Sequence, residues 1–308
     1  MILIAGAGIA GLAMAKALEL KGQACEIVER ASHLPTAGAG IFLLGNATRV
    51  LERLNLLEEV EAAAHPILKQ RIFNDAGSLL NEVATESVWR GCGPCFALSR
   101  QNFVRILASS LMSTEIQHEK SILDVEPSGG FQRVTFSDGS CSHYTAVIGA
   151  DGIRSSLRTS LFDPKPPYPL GITCWRFVTE NNTGLDSWTA MVGRRRTLLA
   201  IPISKAHIYV YADCPSVDVQ RPSLSFLKKH FVDFAAPLGQ IVSKLDTPRE
   251  VHSSVLEEIP IKAVGEGQYS PHRRRRPCEL PEHGARGGNG LGRRFNIGGD
   301  NCEQQRHN

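Results

Sequence analysis

Three glycines near the amino terminus have the spacing of a loop that binds phosphate. Gly6, Gly8 and Gly11 follow the apolar run Met1–Ala5, which predicts a buried parallel strand, and they open a helical pattern that ends at Gly22. Glycine permits a tight turn at the first position, close approach of a phosphate at the second, and contact between helix and strand at the third. The free N–H groups at the start of the helix would attract the anion.

An acidic residue follows where a nucleotide-binding fold holds a ribose. Residues 23–28 predict a second strand, and Glu29 ends it, eighteen residues after Gly11. A carboxylate at this point can accept hydrogen bonds from the ribose hydroxyls, and Arg30 beside it is a further candidate for cofactor binding. Strand, helix, spacing and acid together predict a dinucleotide site, although this motif does not distinguish NAD from FAD.

A second motif narrows the choice of cofactor. The predicted strand Tyr144–Ala150 runs into the sequence Gly-Ala-Asp-Gly-Ile-Arg-Ser-Ser-Leu-Arg at residues 149–158. Here the chain resembles the flavoprotein aromatic monooxygenases, specifically the salicylate-hydroxylase-like group. In that family this stretch lies near the FAD pyrophosphate and the approach of the pyridine nucleotide. The resemblance implies that Asp151 and Gly152 lie near the middle of the cofactor.

Two shorter stretches add to the resemblance, which covers residue 1 to about residue 265. Gly38-Ala39-Gly40-Ile41 is similar to the family's loop beside the flavin, so Gly38 and Gly40 are expected near the isoalloxazine ring. Arg100 opens the predicted amphipathic helix Gln101–Leu111 and matches an arginine that contacts the cofactor.

The resemblance also implies the fold. We expect an α/β, doubly wound, Rossmann-like FAD-binding domain at residues 1–165 and an antiparallel β-sheet substrate domain at residues 166–265. Alternating patterns with turn signals predict the strands of this sheet, and an apolar stripe predicts a helix after them. The predicted strands are Gly171–Val178, Ser187–Val192, Arg196–Ile203 and His207–Ala212, and the predicted helix is Ser223–Ala235.

By resemblance, the activity is that of an FAD-dependent monooxygenase, an oxidoreductase. It would use NADH or NADPH as co-substrate and O₂ to hydroxylate a small aromatic or electron-rich molecule. The sequence names neither a catalytic residue nor a metal site, and His207 is more typical of a packed or exposed strand residue. Two alternatives stay open: an NAD(P)-dependent dehydrogenase that uses only the first motif, and a truncated, non-enzymatic remnant that binds FAD.

The sequence Cys92-Gly93-Pro94-Cys95 matches the redox motif of thioredoxins. Its flanks belong to the flavoprotein pattern, and the sequence contains no second Cys-x-x-Cys to complete a zinc site. We therefore interpret the two cysteines as residues of a turn around Gly-Pro.

Composition limits the remaining function classes. The chain is 42% hydrophobic, and 34 basic against 31 acidic residues give a net charge of +3, which does not favour a nucleic-acid partner. Eight scattered cysteines are typical of a reduced, intracellular protein. The uncharged residues 1–15 resemble a signal peptide but lack a basic start, and no run approaches the roughly 20 apolar residues of a membrane span. We predict a cytoplasmic protein.

The last residues differ from the rest. Residues 268–308 contain eight Arg against four acidic residues and only eight hydrophobic residues, which predicts a disordered tail from about residue 266. Translated one base out of frame, Gln268–Cys278 can encode the Gly-Asp-Ala-Ala-His element that the family carries here. We infer a frame change near Gly267, from a sequencing error, a wrong gene model or a pseudogene, and give Asp300 no cofactor role. The rival interpretation of Arg273–Arg276 is a nuclear-localisation or nucleic-acid patch. Without the Gly-Asp element we expect low FAD occupancy and uncoupled NAD(P)H oxidation.

Overall fold

The computed structural model describes residues 1–34, 39–219, 222–245 and 251–259. The helices are α1 (Ile9–Glu19), α2 (Gly45–Arg53), α3 (Leu57–Ala63), α4 (Thr85–Val88), α5 (Arg100–Ser109), α6 (Ser156–Leu161), α7 (Leu224–His230) and α8 (Leu238–Ser243). The strands are β1 (Ile2–Ala5), β2 (Cys25–Val28), β3 (Gly40–Leu43), β4 (His65–Pro66), β5 (Lys69–Asn74), β6 (Leu79–Ala84), β7 (Phe96–Ser99), β8 (Ile116–Gln117), β9 (Ile122–Ser128), β10 (Phe131–Phe136), β11 (Cys141–Tyr144), β12 (Ala146–Gly149), β13 (Tyr168–Glu180), β14 (Trp188–Gly193), β15 (Arg196–Pro202), β16 (His207–Pro215) and β17 (His252–Glu258).

A four-stranded parallel sheet in the order β12-β1-β2-β8 organises the amino-terminal half. Its inner strand β1 is apolar throughout because it is covered on both faces. Leu12 of α1 and Leu107 of α5 belong to the core on one face. Leu3 instead packs on the other face with residues of the three-stranded antiparallel sheet β11-β10-β9, including Val134 and Phe136. The predicted α/β class is confirmed, with this antiparallel sheet as the main cover of the second face.

The predicted strand Tyr144–Ala150 is shorter in the structure, where β12 occupies Ala146–Gly149 and Tyr144 instead ends β11. β11 ends at Tyr144, whose ring lies edge-on to that of Phe136 with centroids 6.3 Å apart. The chain then turns at Thr145, which donates a backbone hydrogen bond to Met1, and β12 pairs in parallel with β1. Tyr144 and Val147 contribute to the same core, so the apolar pattern did not reveal this boundary.

A seven-stranded sheet in the order β17-β13-β16-β15-β14-β5-β6 forms the second half of the molecule. The four predicted strands are present in it as β13 to β16, with bounds shifted by up to three residues. The sheet is antiparallel except where β14 pairs in parallel with β5. Because β5 and β6 come from residues 69–84, this sheet draws strands from both sides of the predicted boundary at 165/166. The division into an FAD-binding and a substrate domain stays a proposal.

The two faces of this large sheet pack against different partners. Trp175 and Phe177 join the core formed with α7 and α8, whereas Val178 and Tyr209 face β3 and β7 of the amino-terminal half. The helix predicted over residues 223–235 ends earlier, at His230, and the backbone N–H of Ala235 binds the carbonyl of Asp75 instead of continuing the helix. Its predicted apolar stripe is nevertheless in the core.

Across the part of the chain that the structure describes, no helix combines the length and the apolar character needed to cross a bilayer. The tail predicted at residues 266–308, with Arg273–Arg276 and Asp300, lies outside the described residues.

Candidate functional site

The glycine loop between β1 and α1 is closely packed at two of its three glycines. Gly6 has φ +101°, and a Cβ on it would lie 2.6 Å from the carbonyl oxygen of Ala150. A Cβ on Gly11 would lie 1.9 Å from the carbonyl oxygen of Gly6. The fold itself therefore requires glycine at both positions.

Gly8 has no such reason to be glycine. Its φ of −77° and ψ of −178° suit any residue, and no atom lies within 4 Å of the position of a Cβ. Gly8 is also the N-cap of the eleven-residue helix α1, whose first turn has neither a side-chain cap nor an acidic residue. The loop thus leaves open space at a helix end that favours anions, and a bound phosphate would explain the missing side chain.

Glu29 lies where the loop meets the end of β2. Its Oε2 accepts a hydrogen bond of 2.8 Å from the backbone N–H of Ala7, and its Oε1 accepts one of 3.0 Å from Ala31. These two bonds fix the carboxylate beside the phosphate loop. Each carboxylate oxygen can accept more than one hydrogen bond, so both retain capacity for the hydroxyls of a ribose.

A cleft of about 450 Å³ brings three of the predicted residues together, since Arg30, Asp151 and Gly152 all line it. This follows from the parallel sheet, because β2 and β12 flank β1 and end at the same edge. The Oδ2 of Asp151 accepts a hydrogen bond of 2.9 Å from the backbone N–H of Ser156 at the start of α6. Asp151 therefore also holds the start of α6, which begins within the second motif.

Gly40 and Arg100 form a second group, which the cleft lining does not include. Gly40 pairs with Ser99 between β3 and β7, and the backbone N–H of Arg100 donates to the carbonyl of Ala39 at 3.0 Å. A Cβ on Gly40 would lie 2.5 Å from the Cβ of Tyr209, so glycine lets β3 pack directly on β16 of the large sheet. Arg100 is exposed at the first turn of α5. Gly38 lies outside the described residues.

The cleft contains polar residues that the sequence analysis missed. Arg176 of β13 and Ser254 of β17 line it, and Arg154 makes a 3.1 Å ion pair with Glu257 across it. An arginine between the apolar residues of β13 was a visible signal, but periodicity alone could not show which face of the sheet meets the nucleotide-binding half.

The thioredoxin-like motif at residues 92–95 lies in a turn beside an apolar core. Cys95 is buried among apolar side chains, and this burial raises the pKa of its thiol to about 11. A hydrogen bond with the Gly45 backbone acts in the opposite direction but is the smaller effect. The hydroxyl of Thr48 donates a 2.7 Å hydrogen bond to the carbonyl of Pro94 and holds the turn. A thiol that stays protonated at neutral pH is a poor nucleophile, which favours the interpretation as turn cysteines. Among the described residues no group of three or more His, Cys, Asp or Glu is placed to hold a metal ion.

Comparison with known proteins decides the family. A family model described as an FAD binding domain matches residues 1–166. The 2-heptyl-3-hydroxy-4(1H)-quinolone synthase of Pseudomonas aeruginosa is 33% identical over 265 residues, covering 84% of this chain and 69% of that protein. The aurachin C monooxygenase/isomerase of Stigmatella aurantiaca is 27% identical over 278 residues, covering 87% and 71%. The chain belongs to the FAD-dependent aromatic monooxygenases.

The fold of this FAD-dependent monooxygenase is shared with a solved relative. The crystal structure of Klebsiella pneumoniae HpxO complexed with FAD and uric acid has a TM-score of 0.73 at 24% identity, covering 83% of this chain and 68% of that one. The expected combination of an FAD-binding half and a sheet-rich half is confirmed.

The family match also confirms FAD as the cofactor, with NAD(P)H as the co-substrate typical of the family, and disfavours a dehydrogenase that uses only the first motif. The residues of this FAD-dependent monooxygenase fit the cofactor. The open space at Gly8 suits a pyrophosphate, and the fixed carboxylate of Glu29 suits a ribose.

Proposed function

We propose that this chain binds FAD along the edge where β1, β2 and β12 end, and that it hydroxylates a small aromatic molecule with NADH or NADPH and O₂. The observation that carries the proposal is Gly8, because neither its backbone conformation nor its neighbours require glycine there. The packing of the loop itself requires glycine only at positions 6 and 11. The space at Gly8 serves a ligand.

Each predicted residue has a proposed place along the cofactor. The pyrophosphate would lie at the glycine loop, the adenosine ribose at Glu29 with Arg30 beside it, and the middle of the cofactor near Asp151 and Gly152. Arg100 would also contact this middle part. Gly40, together with Gly38, would border the isoalloxazine ring. When bound, FAD supplies the oxidation of the nicotinamide and the activation of O₂.

The protein supplies a dry and shaped surface for the substrate. Val178, Leu199 and Ile201 of the large sheet lie on the face that packs against β3 and β7. Gly40 brings this face into contact with β3, so its side chains border the proposed flavin end. An apolar wall at this position would orient an aromatic ring and exclude water.

The relatives support a small ring system as substrate. One is a synthase of a heptyl-hydroxyquinolone, and another was crystallised with uric acid. Both molecules contain a planar bicyclic ring system with oxygen substituents. We infer that the substrate of this chain contains a comparable ring system, held by the sheet at residues 166–265.

Spectroscopy of the purified protein tests the proposal. Bound FAD absorbs at about 450 nm, whereas a nicotinamide-only protein lacks this band. We expect apo protein to bind FAD in a fluorescence titration and the loaded protein to oxidise NADH or NADPH. From the missing Gly-Asp element we also predict low FAD occupancy on purification and release of hydrogen peroxide. Absence of any saturable FAD binding would contradict the proposed function, and stoichiometric FAD with coupled hydroxylation would contradict the predicted uncoupling.

A further inference from the structure

Arg176, Tyr211 and Asp213 bring polar groups to the largely apolar face of the large sheet that looks toward the FAD-binding half. Strand alternation sends Trp175 and Phe177 to the core under α7 and α8, and therefore sends Arg176 to the opposite face. Tyr211 lies beside Arg176 on the neighbouring strand β16, and Asp213 follows two residues later on the same face. Their neighbours on this face include Val178 and Leu199.

The three side chains form one connected network. The hydroxyl of Tyr211 donates a hydrogen bond of 2.9 Å to Oδ2 of Asp213. The guanidinium carbon of Arg176 lies 5.8 Å from the centre of the Tyr211 ring, and its Nη1 donates to the Oγ of Ser254 at 3.3 Å. The network therefore spans three adjacent strands, β17, β13 and β16. Burial and the charge of Asp213 raise the pKa of Tyr211, so its hydroxyl stays protonated and directed at the carboxylate.

The network lies between the two groups of proposed FAD-binding residues. On one side, Arg176 shares the 450 Å³ cleft with Arg30 and Asp151. On the other side, Tyr209 of the same strand face contacts Gly40, the glycine proposed to border the isoalloxazine ring. A small molecule that packs on this face beside the flavin would meet the network at its edge.

The hydrogen-bond donors and acceptors of the network indicate which polar groups such a molecule would carry. The guanidinium of Arg176 offers only donors, whereas the carboxylate of Asp213 offers only acceptors, and Tyr211 lies between them with one lone pair to accept. We propose, building on the proposed function, that Arg176, Tyr211 and Asp213 are specificity-determining residues. They position an aromatic substrate through an oxygen acceptor on its ring and a neighbouring O–H or N–H donor.

A purely structural role is the competing explanation, since polar networks can also fix the pairing of strands. The two explanations predict different effects when a residue of the network is replaced. A structural network changes the stability of the sheet and treats all aromatic ligands alike. A substrate subsite changes the discrimination between ligands that differ only in the donor or the acceptor.

Binding of two matched probes to the FAD-loaded protein tests the inference. Salicylate carries an oxygen acceptor beside a hydroxyl donor, and 2-methoxybenzoate has the same frame without the donor. Trp89 and Trp188 belong to the core on the same sheet face, so their fluorescence reports binding together with the flavin spectrum. The variants are Arg176→Met, Arg176→Lys and Tyr211→Phe. The control is Arg133→Met, which removes an exposed arginine paired with Glu126 on the three-stranded sheet.

We expect the unaltered protein to bind salicylate at least tenfold more tightly than 2-methoxybenzoate. Arg176→Met weakens salicylate binding about 10- to 100-fold, the effect of losing a charge-assisted hydrogen bond, and Arg176→Lys restores part of it. Tyr211→Phe reduces the preference between the probes, while the control variant behaves as the unaltered protein. In Tyr211→Phe and Arg133→Met, neither of which lies in the cleft lining, the Kd for FAD stays within about twofold, and all probe titrations use protein saturated with FAD.

Three results would overturn the inference. The FAD-loaded protein binds neither probe saturably, it binds both probes equally, or the Arg176→Met variant binds salicylate as tightly as the unaltered protein. These results leave the proposed function intact as long as FAD binds. Failure of the unaltered protein to bind FAD at all counts against the proposed function, and the FAD titration therefore separates the two.

Discussion

Replacement of Gly8 by alanine separates the binding of FAD from the stability of the protein. The backbone at Gly8 already has a conformation that alanine adopts, and the new methyl group would contact no atom of the protein within 4 Å. In the proposed complex the same methyl group occupies the space of the pyrophosphate. Gly11→Ala is the matched contrast, because its methyl group would lie 1.9 Å from the carbonyl oxygen of Gly6.

The size of each effect follows from these contacts. A phosphate oxygen displaced by a methyl group loses hydrogen bonds to the loop N–H groups, each worth about 1.5–3 kcal/mol. Loss of one such bond weakens the Kd for FAD about 10- to 150-fold. In the absence of FAD, the lower entropy of the unfolded chain favours alanine by about 0.4–1 kcal/mol, and the poorer N-cap offsets this gain. We therefore expect a Tm within about 4 °C of the unaltered protein.

Two measurements on the apo proteins decide the outcome. Quenching of FAD fluorescence gives the Kd, and thermal unfolding without FAD gives the Tm. Gly8→Ala lowers affinity with an unchanged Tm, whereas Gly11→Ala lowers the Tm because overpacking costs about 1–3 kcal/mol or more. An unchanged Kd in Gly8→Ala would refute the assignment of the phosphate to this loop. A large loss of Tm in that variant would refute the argument that the protein itself has no need of glycine there.

Three further predictions concern stability and reactivity. Burial raises the pKa of Glu19, but hydrogen bonds from the backbone and hydroxyl groups of residues 112–114 outweigh it and lower the pKa from 4.5 to about 2. Stability from this carboxylate is therefore present above pH 4.5 and lost as the pH falls toward 2. Urea unfolding of Glu19→Gln should show a loss of about 1–2 kcal/mol at pH 7 and a flatter pH dependence; equal slopes would contradict this. In the native protein, exposed Cys141 should react with a thiol reagent while buried Cys95 does not. Rapid reaction of Cys95 would instead indicate a redox site. Gly40→Ala should lower the Tm, since its methyl group meets a β16 side chain at 2.5 Å, and an unchanged Tm would show that β3 can move away.

The amino-acid sequence by itself determined the local parts of the site. Gly6 and Gly11 are required by a turn and a close contact within the first βα unit, and Glu29 ends the next strand. These features depend on residues close together in the chain, where backbone geometry and hydrophobic period act directly. The same local reasoning placed β13 to β16 to within three residues.

Only the tertiary structure decided what meets across the cleft. β5 pairs in the large sheet with β14, a strand that lies more than a hundred residues further along the chain. No local pattern specifies such a partner. The location of Arg176 next to Tyr211 and near Arg30 likewise depends on strand register and on how the sheet packs against the FAD-binding half. Alternation assigns a side chain to one of two faces, but only long-range packing determines which face meets the amino-terminal half.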